Sequence, residues 1–134
     1  MEDCVFCKIV ARTIPAYIFY EDEHTIAFLD IFPRYKYQSL VIPKSHHSSQ
    51  FSLVNQEALV QSIITARKVS RAIELNFSDV LRCTVAIEGL EIPHFHIRIE
   101  PYTDNKSNLL GTNFNGAKAT DEYLQYVADK IKFI

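Results

Sequence analysis

The segment Ile92-Pro93-His94-Phe95-His96-Ile97-Arg98-Ile99-Glu100-Pro101 sets histidine, histidine and arginine at every second position, with apolar residues between them. Alternate side chains of a strand share a face and lie roughly 6.5–7 Å apart along it. The spacing therefore predicts a strand with His94, His96 and Arg98 on one face and Phe95, Ile97 and Ile99 anchored in a core. Two imidazoles and a guanidinium in a row can supply a nucleophile, a metal ligand and an anion clamp. A half-exposed strand with a basic outer face would carry the same pattern, so spacing alone leaves both readings open. Near the N-terminus, Cys4-Val5-Phe6-Cys7 sets two thiols three residues apart. On one helical turn these share a face, so both sulfurs can reach one ion. A redox pair of the thioredoxin kind needs a preceding strand and a cis-proline context, and the surrounding residues suggest neither.

The elements that must position these groups follow from periodicity. Val5, Phe6, Ile9 and Val10 give a short helical stripe over residues 4–11, which Pro15 terminates. Residues 17–20 and 25–29, rich in β-branched and aromatic side chains, read as a hairpin around the polar turn Glu21-Asp22-Glu23-His24. Residues 39–42 form a third strand ended by Pro43. Leu59, Ile63, Ala66, Val69, Ala72 and Ile73 recur at helical steps, which predicts a long helix over 55–75 opened by Asn55 and Glu57. Two further strands are expected over 80–87 and 92–100, a loop over 104–116 and a last helix over 121–131. Helices and strands mix without βαβ alternation, which favours an α+β domain with an antiparallel sheet.

Composition narrows the function classes. The chain has 134 residues, the size of one domain, and no internal repeat or low-complexity linker is visible. A formal charge of −2 provides no basic field for nucleic acid. No apolar run approaches the roughly 20 residues of a membrane helix. Met1-Glu2-Asp3 does not begin a basic-then-apolar leader, so an intracellular, cytoplasmic location is expected, with the nucleus left open. There are 3 glycines, all after residue 88, which disfavours a glycine-rich phosphate cradle. The stretch from Gly111 to Lys118 imitates a P-loop with one residue too many before the lysine, no strand before it and no hydroxyl residue after it, and reads as a loop. The 3 cysteines do not fit a secreted disulfide framework; Cys83 and His24 read as core and surface residues respectively.

Taken together, the ordered stretches Cys4-Val5-Phe6-Cys7-Lys8-Ile9-Val10, Ile14-Pro15-Ala16, Tyr20-Glu21-Asp22, Ala27-Phe28-Leu29-Asp30-Ile31, Leu40-Val41-Ile42-Pro43-Lys44 and the His94–Arg98 run carry a resemblance. The sequence resembles the histidine triad (HIT) family of nucleotide hydrolases and transferases, strongest over residues 4–101, with 102–134 as a C-terminal loop and helix. The resemblance implies one α+β domain over 1–134: an antiparallel meander sheet with one long helix and short terminal helices, usually paired as a homodimer. It makes His96 the nucleophile toward the α-phosphorus of a purine nucleotide or nucleoside phosphoramidate, through a nucleotidyl-histidine intermediate. It assigns Asp30 to the ribose hydroxyls, and Val5, Phe6, Ile9, Phe28 and Ile31 to the base slot, positions that ordinary core packing would also fill. Arg98 and Gly89 are left to the phosphate. Relatives with the Cys-x-x-Cys pair bind zinc, and the matching set here is Cys4, Cys7, His46 and His94, one structural Zn²⁺ per chain, with His47 an adjacent competitor of His46.

The sequence also departs from the family. Arg98 replaces the third histidine, Gly89-Leu90-Glu91 stands where Gly-Gln-Ser is usual, Tyr37-Gln38 replaces a Gly-His pair, and Cys83 lies near an expected asparagine. Arginine is a competent phosphate donor, whereas a carboxylate at Glu91 faces an anionic substrate. Two functions follow: a phosphoramidase or nucleotidyl hydrolase, or a zinc-stabilised nucleotide- or partner-binding module with little catalysis.

Overall fold

The computed structural model describes residues 3–103 and 116–133. Its elements run α1 (Val5–Val10), β1 (Ile18–Glu21), β2 (Thr25–Leu29), β3 (Ser39–Pro43), α2 (Gln56–Asn76), β4 (Val80–Ala86), β5 (Ile97–Thr103) and α3 (Asp121–Lys130). The strands form one antiparallel five-stranded sheet in the order β1-β2-β3-β5-β4. A meander runs through β1, β2 and β3. The chain then crosses one face as α2 and returns as a β4–β5 hairpin that places β5 against β3. Residues 111–115 of the P-loop-like stretch and 104–115 of the expected loop lie outside the described residues.

Helix ends sit where short polar side chains can take orphan backbone donors. Asn55 caps α2, its side-chain oxygen accepting from the Ala58 amide at 3.0 Å. Thr120 caps α3 in the same way, accepting from Tyr123 at 3.2 Å. Caps of this kind stabilise a helix by about 1 kcal/mol. The hairpin turn is fastened by Asp22, which accepts from the His24 and Thr25 amides, both at 2.8 Å, and from the Tyr20 hydroxyl at 2.8 Å. Thr25 in turn meets Thr65 of α2 at 2.7 Å, tying the hairpin to the helix.

Every residue of β2 and β3 is buried, because helices cover both faces of the sheet. On the α2 side, Ala27, Leu29, Val41, Phe95, Ile97 and Ile99 pack with Ala66, Val69 and Ile73. On the other side, Ile26, Phe28, Leu40 and Ile42 pack against Phe6 and Ile9 of α1. In β5 the alternation is strict: Ile97, Ile99, Pro101 and Thr103 are buried, and Arg98, Glu100 and Tyr102 face the α1 side half-buried.

One boundary differs from expectation. The last strand begins at Ile97 and runs to Thr103, where the sequence pattern predicts 92–100. Its ladder with β3 stops at the Val41–Ile97 pair. Pro93 has no N–H to extend a ladder, and the Phe95 amide donates instead to the His47 carbonyl at 3.0 Å. Residues 94–96 nevertheless keep the alternation, so His94 and His96 still point to the side of Arg98 while Phe95 enters the α2 core.

Candidate functional site

The first constellation lies where α1 meets the loop after β3 and the approach to β5. Cys4 is the N-cap of α1, its sulfur accepting from the Cys7 amide at 3.4 Å, so the helix start itself brings both thiols to one side. His94 Nδ1 lies 3.4 Å from Cys4 Sγ and 3.5 Å from Cys7 Sγ, and His46 Nδ1 lies 3.4 Å from Cys7 Sγ. The four ligand atoms of Cys4, Cys7, His46 and His94 all fall within 4.8 Å of one another. A tetrahedron with metal–sulfur bonds of about 2.3 Å and metal–nitrogen bonds of about 2.05 Å has sulfur–nitrogen edges of roughly 3.5 Å. The observed separations match that edge.

The protonation chemistry suits a cation as well. His94 is fully buried, and burial pulls its pKa down to about 4, so the ring is neutral at pH 7. Its Nε2–H donates to the Pro43 carbonyl at 2.9 Å, which leaves the Nδ1 lone pair on the cysteine side. Burial, together with the neighbouring Cys4 thiol, raises the Cys7 pKa above its usual value. Two sulfurs in so small a space can become thiolates together only with a positive charge between them. These residues could hold a metal ion. His47 is not in the cluster. Cys83 is not either: its sulfur faces the Ser70 carbonyl on α2, and burial pushes its thiol to about 12.

The second constellation is a cleft of about 750 Å³ on the same side of the sheet. Val5, Phe6, Ile9, Phe28 and Ile31 form apolar wall, and Asp30, His96 and Arg98 supply polar groups along it. His96 is 8% exposed, and its Nδ1 lies 2.8 Å from the His94 carbonyl. Only an Nδ1–H can make that bond, so in the neutral imidazole the lone pair is on Nε2, which among the described residues has no hydrogen-bond partner. The Phe6 ring meets His96 nearly edge-on at 5.2 Å and fixes the imidazole plane. Phe28, Leu40 and Arg98 are directly opposed across β2, β3 and β5, so the sheet register carries the guanidinium into the same row as the apolar wall. Arg98 donates from Nε to Glu100 at 2.8 Å, leaving the four N–H bonds of its terminal nitrogens as further donors.

Asp30 at the end of β2 is held from two sides: its Oδ1 accepts from the Phe32 amide at 2.9 Å, and its Oδ2 from Gln38 Nε2 at 2.7 Å. Gln38 is buried, and its Oε1 accepts from the Arg34 and Tyr35 amides at 3.0 and 3.1 Å. Sequence reasoning noted Gln38 only as a departure from a motif. A buried amide immediately before the fully buried strand β3 is the feature that marks it as a positioning residue. Tyr37 beside it has φ +66°, a backbone that favours glycine. Here a tyrosine is held there by stacking on Phe77 at 3.9 Å and by donating its hydroxyl to Asp79 at 3.0 Å.

Gly89 does not line the cleft, although the sequence reading gave it to the phosphate. Its φ is +60°, and a Cβ there would lie 2.4 Å from the Ser49 carbonyl oxygen. Close backbone approach is what demands glycine at this point. Its neighbours Glu88 and Glu91 do line the cleft. Glu88 carried no expectation from the sequence.

Comparison with known proteins agrees with this geometry. The HIT domain model matches residues 11–104. The chain is 33% identical over 107 residues to the adenosine 5′-monophosphoramidase of Saccharomyces cerevisiae, covering 80% of this chain and 67% of that protein. It is 31% identical over 128 residues to the enzyme of the same name from Schizosaccharomyces pombe, covering 96% and 95% of the two chains. Among solved structures, a Hit-like protein from Bartonella henselae superposes with a TM-score of 0.82 at 28% identity, covering 98% of this chain and 95% of that one. A Zn-bound histidine triad family protein from Mycobacterium smegmatis superposes with a TM-score of 0.81, covering 97% and 91%; at 22% identity it speaks for the fold. By its matched domain, its relatives and its fold, the chain belongs to the HIT family.

Proposed function

We propose that the protein is a nucleotide hydrolase that cleaves purine nucleoside phosphoramidates through a covalent intermediate on His96. The observation that carries this reading is the His96 side chain, with Nδ1 committed to the His94 carbonyl at 2.8 Å and Nε2 left without a partner among the described residues in the cleft wall. In the proposed step the Nε2 lone pair attacks the α-phosphorus and the bond to the departing amine breaks. The amine nitrogen keeps that electron pair and takes a proton from solvent. Water then attacks the same phosphorus, the phosphorus–nitrogen bond to His96 breaks, and a nucleoside monophosphate and a proton leave with the imidazole neutral again. The Arg98 terminal nitrogens suit the phosphoryl oxygens, Asp30 suits the ribose hydroxyls, and the wall of Phe6, Ile9, Phe28 and Ile31 suits a base. The phosphoramidase names of the yeast relatives support the substrate class.

The Cys4, Cys7, His46 and His94 set fits zinc by donor chemistry and by edge length. Four protein ligands close a tetrahedron, so zinc here would supply charge and cross-linking, with no open position for substrate. His96, its Nδ1 committed to a carbonyl, stays outside that set. A homodimer is proposed on the surface pattern: Val60, Ile63 and Ile64 expose an apolar stripe of α2, Leu81 and Val85 do so on β4, and among the described residues β4 pairs only with β5.

Incubation with adenosine 5′-phosphoramidate, comparing the parent with His96→Asn, tests the reading. AMP release by the parent and its loss in the variant are expected. AMP release that survives His96→Asn would refute the covalent role of His96, and none by the parent although AMP binds would favour the binding module instead.

A further inference from the structure

The cleft is unusual in its charge for a site that takes phosphate. Among the described residues its walls carry four carboxylates, Asp30, Glu88, Glu91 and Glu100, against two guanidiniums, Arg34 and Arg98, and no lysine. Glu100 is already matched with Arg98 at 2.8 Å, which softens the one cation nearest His96 in the chain. Asp30 is held by Gln38 and the Phe32 amide. Glu88 accepts from the exposed Leu90 amide at 3.3 Å, and neither it nor Glu91 is paired with a cation among the described residues, so these two carboxylates keep their charge for a ligand. They are also held in place. Gly89 between them is pressed against Ser49, where a Cβ would come within 2.4 Å of the carbonyl oxygen, and Ser49 Oγ donates to the Gly89 carbonyl at 2.8 Å. That contact anchors at Gly89 the segment joining β4 to β5, an acidic lip that continues through Ile92 into His96. The second feature of the same cleft is His96 itself, more than nine-tenths buried and with Nε2 unpartnered among the described residues.

We infer that the lip of Glu88 and Glu91 selects the leaving group: it favours phosphoramidates whose departing amine carries a second, positive charge, and it rejects polyphosphates and other anionic leaving groups. The inference rests on the hydrolase reading of the same cleft. A nucleotide's phosphate must lie between His96 and Arg98, so whatever leaves it projects from the nucleophile toward solvent, and both lip carboxylates are exposed at that mouth. Like charge set against like there costs transition-state binding, and opposite charge gains it. Exposed charges act through water, so the preference depends on ionic strength.

Three adenosine 5′-phosphoramidates of nearly equal size test this, made from 1,5-diaminopentane (cationic tail), pentylamine (neutral) and 5-aminopentanoate (anionic). The expected order of kcat/KM is cationic, neutral, anionic, with about tenfold or more between the ends at low salt, narrowing severalfold in about 0.5 M salt. In Glu88→Gln/Glu91→Gln the ratio of the cationic to the anionic conjugate should fall to within about threefold; a ratio taken within one protein is insensitive to partial loss of folded enzyme. Hydrolysis of the neutral conjugate with no ranking, or with the anionic one ahead, overturns this inference and leaves the hydrolase reading standing. A ranking that persists in the double variant overturns the assignment to the lip. No hydrolysis of any conjugate by the parent overturns both.

Discussion

Removing the zinc proposed for the Cys4, Cys7, His46 and His94 cluster should loosen one wall of the cleft, and the size of the effect can be worked out. Helix α1 is six residues long and cannot stand alone in water. It is attached through Phe6 and Ile9 in the apolar cluster and through its two thiols in the ligand set. A site occupied at about 100 times its dissociation constant adds roughly 2.7 kcal/mol to folding stability. For 134 residues, an unfolding entropy near 2.1 cal/mol/K per residue sums to roughly 0.28 kcal/mol/K, so chelation should lower Tm by about 10 °C. The assay is a thermal melt followed by circular dichroism, with metal content measured by elemental analysis before and after a strong chelator. One zinc per chain is expected, lost on chelation and in Cys7→Ser but kept in Cys83→Ser. Phe6 braces His96 edge-on, so the chelated protein should also bind AMP more weakly. Protein that retains no metal from preparation and melts at the same temperature with and without chelator would refute the reasoning.

Other perturbations have definite signs. Asp22 has its pKa lowered to about 2; burial opposes the shift, and hydrogen bonds from the His24 and Thr25 amides and the Tyr20 hydroxyl outweigh it. Its stabilisation is therefore complete above about pH 4 and disappears as pH falls through 2; Asp22→Asn should destabilise at neutral pH by roughly 1–2 kcal/mol and flatten that acid limb in urea titrations. Gln38→Glu keeps an acceptor for the Arg34 and Tyr35 amides but sets a second carboxylate against Asp30, 2.7 Å from the present amide nitrogen. Calorimetry should show AMP affinity weakened about tenfold or more. Val85→Lys on β4 should convert the proposed dimer to a monomer in sedimentation analysis with little change in Tm, since Val85 is half exposed in the single chain.

Much of the fold was legible because local chemistry and tertiary packing agree. Asn55 announced the start of α2, and Ala66, Val69, Ala72 and Ile73 of the apolar steps lie on its buried face, whereas Ile63 is exposed and the small polar Ser62 and Thr65 are buried in its stead. Full burial of β2 and β3 made them short continuous apolar runs bounded by turn residues. The gathering of Cys4, Cys7, His46 and His94 was legible in part: the Cys-x-x-Cys pair shares one turn, and the two histidines came from the family resemblance. What stayed hidden depends on contacts between distant residues. Pro93 does not say where a ladder begins, because that is decided by where β3 runs out of partners at Val41. The demand for glycine at position 89 comes from Ser49, a residue forty positions away that no local pattern places against it. Gln38 shows its purpose only through three partners, Asp30, Arg34 and Tyr35, that the chain brings round it.

The most direct test of the central claim is rapid-quench mass spectrometry of the protein mixed with adenosine 5′-phosphoramidate, with the digest kept at alkaline pH to preserve a phosphorus–nitrogen bond. The account predicts a transient adenylyl group on the peptide containing His96, absent in His96→Asn, forming and decaying at rates that match AMP release. Steady AMP release with no modified peptide at any time, or a group carried by His94 or His46 instead, would contradict it.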